Sequence, residues 1–330
     1  MRRSALVAIA TFAVALVAAG PALAGNGGVA PPAPASPTAG HIRDVYWLIL
    51  GVTGGIFLLV SVTLVLFMVR YRSRGRPREV EGPQVRGHTN LELAWTVAPV
   101  VILAIIAGFV FWQVSEIGGA PGSSAATGPP ASKQIRVEGH QYYWQYIYPN
   151  GAISINELRL PYRRGVRLKI VSSDVAHSWW VPSLAGKLDA IPGKTNYLSF
   201  KPTKLGVYRG QCAEFCGLYH ARMLTHVHVL PAAAYDQFVR QRATDRLALG
   251  KEIFQGVCAQ CHGLAGQGGY GTNIAANPLL HDRAGLTKLL QNGGVKMPAV
   301  GKDWSDDEIA ALLEYLQQRF KQGSSGGGQG

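Results

Sequence analysis

The four cysteines of the chain lie in two short motifs, and both motifs have the spacing of cofactor ligands. The first motif is Cys-x-x-x-Cys-x-x-x-His-x-x-Met, formed by Cys212, Cys216, His220 and Met223, with His177 upstream. Two thiolates, two imidazoles and a thioether are the soft donors that copper prefers. Because two thiolates four residues apart can bridge a pair of metal ions, we expect a dinuclear copper site that relays single electrons.

Three other interpretations of this motif stay open when it is judged on its residues alone. Outside the cell, a Cys-x-x-x-Cys pair can close as a disulfide. Four Cys and His ligands can hold structural zinc. His220 and Met223 can also be ordinary surface and core residues. The full motif with its upstream histidine is more specific than the Cys212/Cys216 pair, and it favours copper.

The second motif, formed by Cys258, Cys261 and His262, is Cys-x-x-Cys-His, the attachment sequence of a c-type haem. In such a site two thioethers fix the porphyrin, and the histidine is the proximal iron ligand. Met297, followed by Pro298, is the candidate sixth ligand, and a methionine there raises the reduction potential. A thioredoxin-like pair and a zinc half-site are the alternatives, and neither explains the adjacent histidine together with the downstream methionine.

The segments before these motifs predict a membrane anchor. Hydrophobic residues make up 48% of the 330 residues and charged residues 15%, so part of the chain prefers lipid. Residues 1–24 predict a cleaved signal peptide, with a first membrane anchor as the alternative. Two apolar stretches, 45–69 and 93–114, are each long enough to span a bilayer. The arginines between them place the connecting loop in the cytoplasm, so both cysteine motifs lie outside the cell.

Composition divides the chain into eight segments, which predict a multidomain protein. They are a signal peptide (1–24), a linker (25–40), a transmembrane helical hairpin (41–115), a linker (116–133), an all-β domain (134–231), a connector (232–247), an all-α domain (248–322) and a flexible tail (323–330). Short strands bounded by Gly and Pro predict a Greek-key sandwich in the β domain. The predicted strands are 135–148, 156–160, 166–172, 196–201, 206–210 and 224–230.

The charge pattern argues against nucleic acid as a partner. The net charge of +13 comes mainly from the cytoplasmic loop and the β domain. Because the basic β domain lies outside the cell, its charge does not indicate nucleic-acid binding. In the last domain, Ser305 and Glu308 form a capping box, and apolar residues at helical spacing follow them, which predicts a terminal amphipathic helix.

Residues 44–231 resemble subunit II of cytochrome c oxidase. The resemblance rests on VEGHQYYWQY, SSDVAHSWWVPSLAGKLDAIPGKTN and GVYRGQCAEFCGLYHARM, preceded by NLELAWTVAPVVIL. It implies a cupredoxin fold with a dinuclear CuA centre, whose ligands are His177, Cys212, the backbone carbonyl of Glu214, Cys216, His220 and Met223. It also implies a Mg²⁺ ion bound by the Glu214 side chain at the boundary with subunit I.

The same resemblance gives Glu92, at the start of the second membrane segment, a role at the entrance of a proton path into subunit I. The alternative for Glu92 is a solvated charge at a helix N-terminus, where the helix dipole favours it. One position departs from the family. Tyr142 stands where the family usually has a tryptophan that receives electrons from docked cytochrome c.

Residues 248–322 resemble a class I cytochrome c. Together the resemblances imply subunit II of a respiratory oxidase in a bacterial cell membrane, which feeds O₂ reduction to water coupled to proton pumping. The implied partners are subunit I, subunit III and an external cytochrome or other reductant. A membrane-anchored copper-delivery protein and a component of a nitric-oxide or nitrous-oxide reductase are the alternatives. Neither has this order of hairpin, copper domain and haem domain.

Overall fold

The computed structural model of the chain describes residues 30–72, 84, 86–114, 117 and 134–320. The predicted signal peptide, nearly all of the second predicted linker and the predicted tail lie outside the described residues.

Two long apolar helices begin the described chain. Helix α1 spans Pro37–Arg70 and helix α2 spans Thr89–Val114. Each contains an 18-residue window with a mean hydropathy of 2.5, and none of either window is buried within the chain. Their exposed apolar surfaces therefore need lipid or another membrane protein around them. Helix α1 starts at Pro37, so the last residues of the predicted 25–40 linker are helical.

The β domain is a sandwich of two five-stranded sheets. The strands are β1 (Ile135–His140), β2 (Tyr143–Ile147), β3 (Ile153–Ile155), β4 (Glu157–Pro161), β5 (Val166–Ser172), β6 (His177–Trp180), β7 (Leu188–Ala190), β8 (Asn196–Phe200), β9 (Gly206–Cys212) and β10 (Leu224–Leu230). Their order is β3-β2-β1-β5-β8 in one sheet and β4-β10-β9-β6-β7 in the other. The β1–β5 and β4–β10 pairs are parallel, and the remaining pairs are antiparallel. Trp144 and Trp179 lie fully buried between the sheets.

The sequence predicted the longer strands better than the short ones. The strands predicted at 166–172 and 224–230 are confirmed with the same bounds. The single strand predicted at 135–148 is wrong, because the chain turns between His140 and Tyr143 and forms the β1–β2 hairpin. Strands β3, β6 and β7 were missed, since three or four residues are too few to show an alternating pattern.

The C-terminal region is helical. After the predicted connector, which forms helix α3 (Ala232–Arg242), come α4 (Arg246–Ile253), a π-helical turn (Phe254–Cys258), α5 (Ala259–His262), α6 (Arg283–Asn292) and α7 (Asp306–Phe320). The predicted capping box is confirmed, since the Ser305 hydroxyl accepts the Glu308 N–H at 3.3 Å and Glu308 Oε2 accepts the Ser305 N–H at 2.9 Å.

The helical domain shares its hydrophobic core with the sandwich. Tyr143 and Ile155, from β2 and β3, belong to the same buried cluster as Leu312 and Leu316 of α7. The indole N–H of Trp304 donates to the Tyr143 hydroxyl at 2.8 Å, and both side chains are buried. The boundary predicted from sequence therefore does not separate two independent cores.

Buried polar groups also join the two domains. Glu252 of α4 accepts hydrogen bonds from the Ile155 N–H at 3.0 Å, from Arg159 at 3.2 Å and from Arg242 at 2.6 Å. The Gln145 amide donates to Glu308 at 2.9 Å. Burial raises the pKa of Glu252, although the two arginines oppose that shift. These groups are no longer hydrated once the two domains are packed together. Breaking any of these hydrogen bonds would therefore leave a buried polar group unpaired and lower the free energy of unfolding.

A double-mutant cycle tests this shared core. We expect Trp304→Phe and Tyr143→Phe each to lower the free energy of unfolding by about 1 kcal/mol or more, since each leaves a buried polar group unpaired. The double variant should cost about 1 kcal/mol less than the sum of the single variants, because the bond is lost once. Urea unfolding of the full chain, followed by circular dichroism, measures these energies. Strictly additive costs would show that the two side chains do not interact.

Candidate copper and haem sites

The copper motif lies at one end of the second sheet, where two neighbouring strands and a loop meet. Strand β6 begins with His177, and strand β9 ends with Cys212. The two strands pair with Trp179 opposite Cys212, which brings the histidine to the same end of the sheet as the thiol. The loop after β9 then supplies Cys216 and leads into a short 3₁₀ turn over His220–Arg222.

Each thiol of the motif has one imidazole and one weaker donor beside it. Cys212 Sγ lies 3.9 Å from His177 Nδ1 and donates to the Glu214 carbonyl at 3.2 Å. Cys216 Sγ lies 3.5 Å from His220 Nδ1 and 3.8 Å from Met223 Sδ. The structure thus brings together all six predicted residues, arranged as two similar halves.

The two halves meet in a buried pocket. The sulfurs of Cys212 and Cys216 are 4.0 Å apart, about twice the length of a disulfide bond, so both cysteines are free. His177 and Met223 are 0% exposed, and both cysteines are 4% exposed. A disulfide is therefore excluded in this structure. Six donors also exceed the four that a structural zinc ion takes, so the set fits a pair of copper ions better.

The two thiols differ in acidity. Burial alone would raise the pKa of the Cys212 thiol, but its hydrogen bonds with His177 and with backbone groups outweigh burial and lower that pKa to about 7. Burial and the neighbouring Cys212 together raise the pKa of Cys216. The pocket thus disfavours two thiolates side by side without a cation between them. Metal binding would release these protons, since the metal takes the thiolate form.

Asp174 fixes the orientation of the first histidine. Its carboxylate accepts from His177 Nε2 at 2.8 Å, which leaves Nδ1 of that ring facing Cys212. The same carboxylate accepts the backbone N–H groups of Gln141 and Val175, each at 2.6 Å. A carboxylate behind a ligating histidine holds its tautomer and orientation. Sequence reasoning missed Asp174, although its position three residues before His177 was a readable signal.

The haem motif has the geometry that an iron ligand requires. Cys258 ends the π-helical turn, and Cys261 and His262 follow in α5. The ring nitrogen Nδ1 of His262 lies 2.7 Å from the Thr272 carbonyl, which leaves Nε2 for iron. At Gly271 an added Cβ would lie 2.8 Å from the His262 ring, so a glycine there leaves the ring its space.

The candidate sixth ligand lies in the same domain. Met297 packs against the same buried cluster as Cys258. The exposed large apolar side chains Leu264, Tyr270 and Val295 also belong to this region, with Val295 fully exposed. A porphyrin is a large apolar group that would cover such surface, so the residues present fit a c-type haem.

The two sites are linked by polar and aromatic contacts. The Gln260 amide, inside the haem motif, donates to the Tyr142 carbonyl at 3.0 Å. The ring of Tyr219, next to the copper-site histidine, lies 5.4 Å from the Tyr142 ring and 5.7 Å from the Tyr270 ring. On the copper side, the Gln141 amide donates to the Cys216 carbonyl at 2.6 Å.

Glu92, the candidate proton-path residue, and the β10 histidines His226 and His228 have contacts outside the two cysteine motifs. Glu92 Oε1 accepts the His88 N–H at 3.1 Å, so the carboxylate caps the start of α2. His226 and His228 both contact Glu157, at 3.2 Å and 2.5 Å. The proton-path role of Glu92 remains a prediction.

Removing the charge of Asp174 should weaken copper binding. We expect Asp174→Asn to lower the copper affinity of the site about 10- to 100-fold, because the His177 ring loses its orienting carboxylate. A competition titration with a copper chelator measures this. Asp189→Asn is the matched control, since its carboxylate is 46% exposed and lies 3.7 Å from Lys187. Equal affinities in both variants would contradict the orienting role.

Three family models match successive parts of the chain. The transmembrane domain of cytochrome C oxidase subunit II matches residues 26–112, and the periplasmic domain of the same subunit matches residues 152–230. Subunit III of the cbb3-type cytochrome C oxidase matches residues 245–316. These matches cover the helical hairpin, most of the sandwich and most of the helical domain in the order the structure has them.

Individual proteins give the same picture. The chain is 32% identical to cytochrome c oxidase subunit 2 of Alkalihalophilus pseudofirmus, over 86% of this chain and 89% of the relative. It is 30% identical to cytochrome c oxidase subunit 2 of Synechocystis, over 64% of this chain and 75% of the relative. Among solved structures, the periplasmic domain of cytochrome oxidase subunit II of Bradyrhizobium japonicum is 30% identical, with a TM-score of 0.33, over 35% of this chain and 96% of that chain.

The relatives and the architecture agree on the broad role. The family implies copper, the cytochrome domain implies haem, and membership implies partnership with subunit I in a membrane-bound oxidase complex. The two apolar helices and the match of the β domain to a periplasmic domain fit a membrane protein with an extracellular domain that carries the copper motif. The chain belongs to the cytochrome c oxidase subunit II family and carries a C-terminal cytochrome c domain.

Proposed function

We propose that this chain accepts electrons at a haem bound to Cys258, Cys261 and His262 and passes them through a dinuclear copper centre to subunit I. There O₂ is reduced to water, coupled to proton pumping. Bound at these sites, the haem and the copper pair would each supply a one-electron redox couple. The membrane helices hold the chain in the bacterial cell membrane, and subunit III and an external cytochrome or other reductant complete the proposed set of partners.

This proposal rests on one observation: the ligand atoms in the copper pocket form two similar sets, one around each thiol. Each thiol has its own imidazole and its own weak donor at 3.2 to 3.9 Å. A mononuclear electron-transfer site would use one thiolate, two imidazoles and one thioether. The second thiol lies 4.0 Å from the first, so the pocket has enough sulfur ligands for two metal ions. Burial keeps water away from His177, Cys212, Cys216 and Met223, so little solvent must reorganise around them when the charge of the site changes.

The contacts between the two sites support an electron route within one chain. From the haem side, the Gln260 amide reaches the Tyr142 carbonyl, and the Gln141 amide next to it reaches the Cys216 carbonyl. These two hydrogen bonds connect the haem motif to a copper-site cysteine through a few covalent and hydrogen-bonded steps. A fused donor also replaces diffusional docking by a high effective concentration.

The same contacts explain why Tyr142 can replace the tryptophan that the family usually has at this position. The Tyr142 hydroxyl accepts the Leu218 N–H at 3.0 Å, and its carbonyl accepts from Gln260 of the cytochrome domain. A tryptophan that receives electrons from a soluble partner needs an open surface, whereas this position lies against the attached domain. We infer that an external donor reduces the haem, and that the copper pair is reduced from within the chain.

We extend the same proposal to two carboxylates, Glu214 and Glu92. Glu214 directs its carbonyl at Cys212 while the residue itself is exposed, so its side chain is available to a Mg²⁺ ion at the subunit I boundary. Glu92, exposed at the start of α2 on the cytoplasmic side, would deliver protons to subunit I.

Removing one thiol tests the dinuclear site. We expect Cys216→Ser to reduce bound copper from two ions per chain to one or none, because one of the two thiols that would hold the ions is lost. Metal analysis together with the optical spectrum of the purified chain measures this. Ala213→Ser, in the same loop, adds a hydroxyl and keeps both thiols. A spectrum and copper content unchanged in Cys216→Ser would refute the ligand assignment.

Met297→Ala tests the sixth haem ligand. We expect the haem to stay covalently attached through its cysteines, while its reduction potential falls by a sizeable part of the ~0.8 V that axial ligands control. Redox titration of the haem absorbance measures the potential. Met68→Ala, in membrane helix α1, is the control and should leave the potential unchanged. An unaltered potential in Met297→Ala would mean that another residue is the ligand.

Glu92→Gln separates a proton-path role from a helix cap. Glutamine keeps an oxygen that can accept the His88 N–H but cannot carry a proton as a carboxylate does. We expect O₂ consumption by the assembled oxidase to slow severalfold, with copper and haem spectra unchanged. Asp44→Asn, at the other end of the hairpin, should keep full turnover. Full turnover in Glu92→Gln would leave only the capping role.

A further inference from the structure

The segment directly before helix α1 is part of the sandwich. Ala35 and Ser36 are 1% and 4% exposed, and Ala35 belongs to the same buried cluster as Trp144 and Trp179. The Pro- and Ala-rich composition of this segment predicts a solvated linker. Instead, its last residues are packed into the domain that holds the copper motif.

Both backbone polar groups of Ala35 bond to the sandwich. Its N–H donates to the Ser183 carbonyl at 2.7 Å, and its carbonyl accepts the Thr203 N–H at 2.7 Å and the Thr203 hydroxyl at 3.1 Å. Ser183 lies in the loop after β6, and Thr203 lies in the loop after β8. Ala35 therefore ties together loops from both sheets.

Ser36 joins the membrane helix to this arrangement. Its hydroxyl donates to the Leu184 carbonyl and accepts the Ala39 N–H at 3.0 Å. The second bond makes Ser36 the N-cap of α1, and Pro37 follows at the first helical position. One side chain thus sets the direction in which α1 starts and fastens that start to the sandwich.

The attachment is close to the copper motif along the chain. Strand β6 starts with His177 and leads directly into the loop of Val181 and Leu184, both of which are 0% exposed. On the other side, the eight residues from Pro37 to the last charge at Asp44 span about 10 Å of helix before the apolar run begins. A continuous series of packed and hydrogen-bonded residues therefore connects the strand that carries His177 to the start of α1.

We propose that residues 35–38 form a clamp that fixes the height and orientation of the copper-binding end of the sandwich above the membrane. The rate of electron transfer falls steeply with distance. A sandwich on a flexible tether would spend little time close enough to a membrane-embedded acceptor, so transfer would be slow. The functional meaning of the clamp rests on the proposed transfer to subunit I. The clamp itself depends on protein contacts alone.

Hydrogen exchange of the full chain in lipid nanodiscs tests the clamp without any cofactor. In Ala35→Glu we expect the backbone amides around Thr203 and at the start of α1 to exchange at least tenfold faster than in the unaltered chain. Ser36→Ala should give a smaller increase at the same positions. Thr63→Ala is the matched hydroxyl deletion, since Thr63 donates to the Leu59 carbonyl within α1. Equal exchange in Ala35→Glu and Thr63→Ala would overturn the proposal.

Electron paramagnetic resonance of copper-loaded chain in oriented membrane layers gives a second readout. A fixed sandwich predicts a signal that changes with the angle of the layers to the field, and this dependence should weaken in Ala35→Glu and persist in Thr63→Ala. If Ala35→Glu does not fold, Ser36→Ala decides the question by both measurements. Undiminished angular dependence in the clamp variants would refute the clamp. A signal that is not that of a copper pair would refute the proposed function while leaving the exchange result intact.

Discussion

The structure depends on two thiols held 4.0 Å apart in a pocket almost closed to water. Such a pair resists the loss of both protons, because two thiolates repel each other and burial penalises their charge. The chain holds Cys212 and Cys216 in place by backbone pairing at the end of β9 and by the hydrogen bonds of the loop that follows. A metal pair between the thiols would relieve this repulsion, which is the role that we propose for copper here.

The rest of the molecule keeps this pocket in position from two sides. On one side, the cytochrome domain completes its core with Tyr143 and Ile155 of the sandwich. On the other, Ala35 and Ser36 bind the start of the first membrane helix to the sandwich loops. Contacts therefore connect the haem motif, the copper motif and the first membrane helix, as the proposed electron route requires.

Much of the candidate site could be predicted from the sequence, because ligand chemistry is local. The spacing from Cys212 to Met223 and the Cys258–His262 motif specify donor types whatever the fold around them. The long-range contacts could not be predicted in this way. No pattern near Tyr143 shows that its hydroxyl meets Trp304, and the composition around Ala35 resembles a linker although both of its backbone groups are bonded. Such pairings depend on tertiary packing, which overrides local composition.

The most direct test of the proposed copper pair is electron paramagnetic resonance of the oxidised, copper-loaded chain. We expect hyperfine splitting from one electron shared equally by two copper nuclei, together with the separate signal of an oxidised c-type haem. Splitting from a single copper nucleus, or a protein that binds zinc there and gives no copper signal, would contradict it.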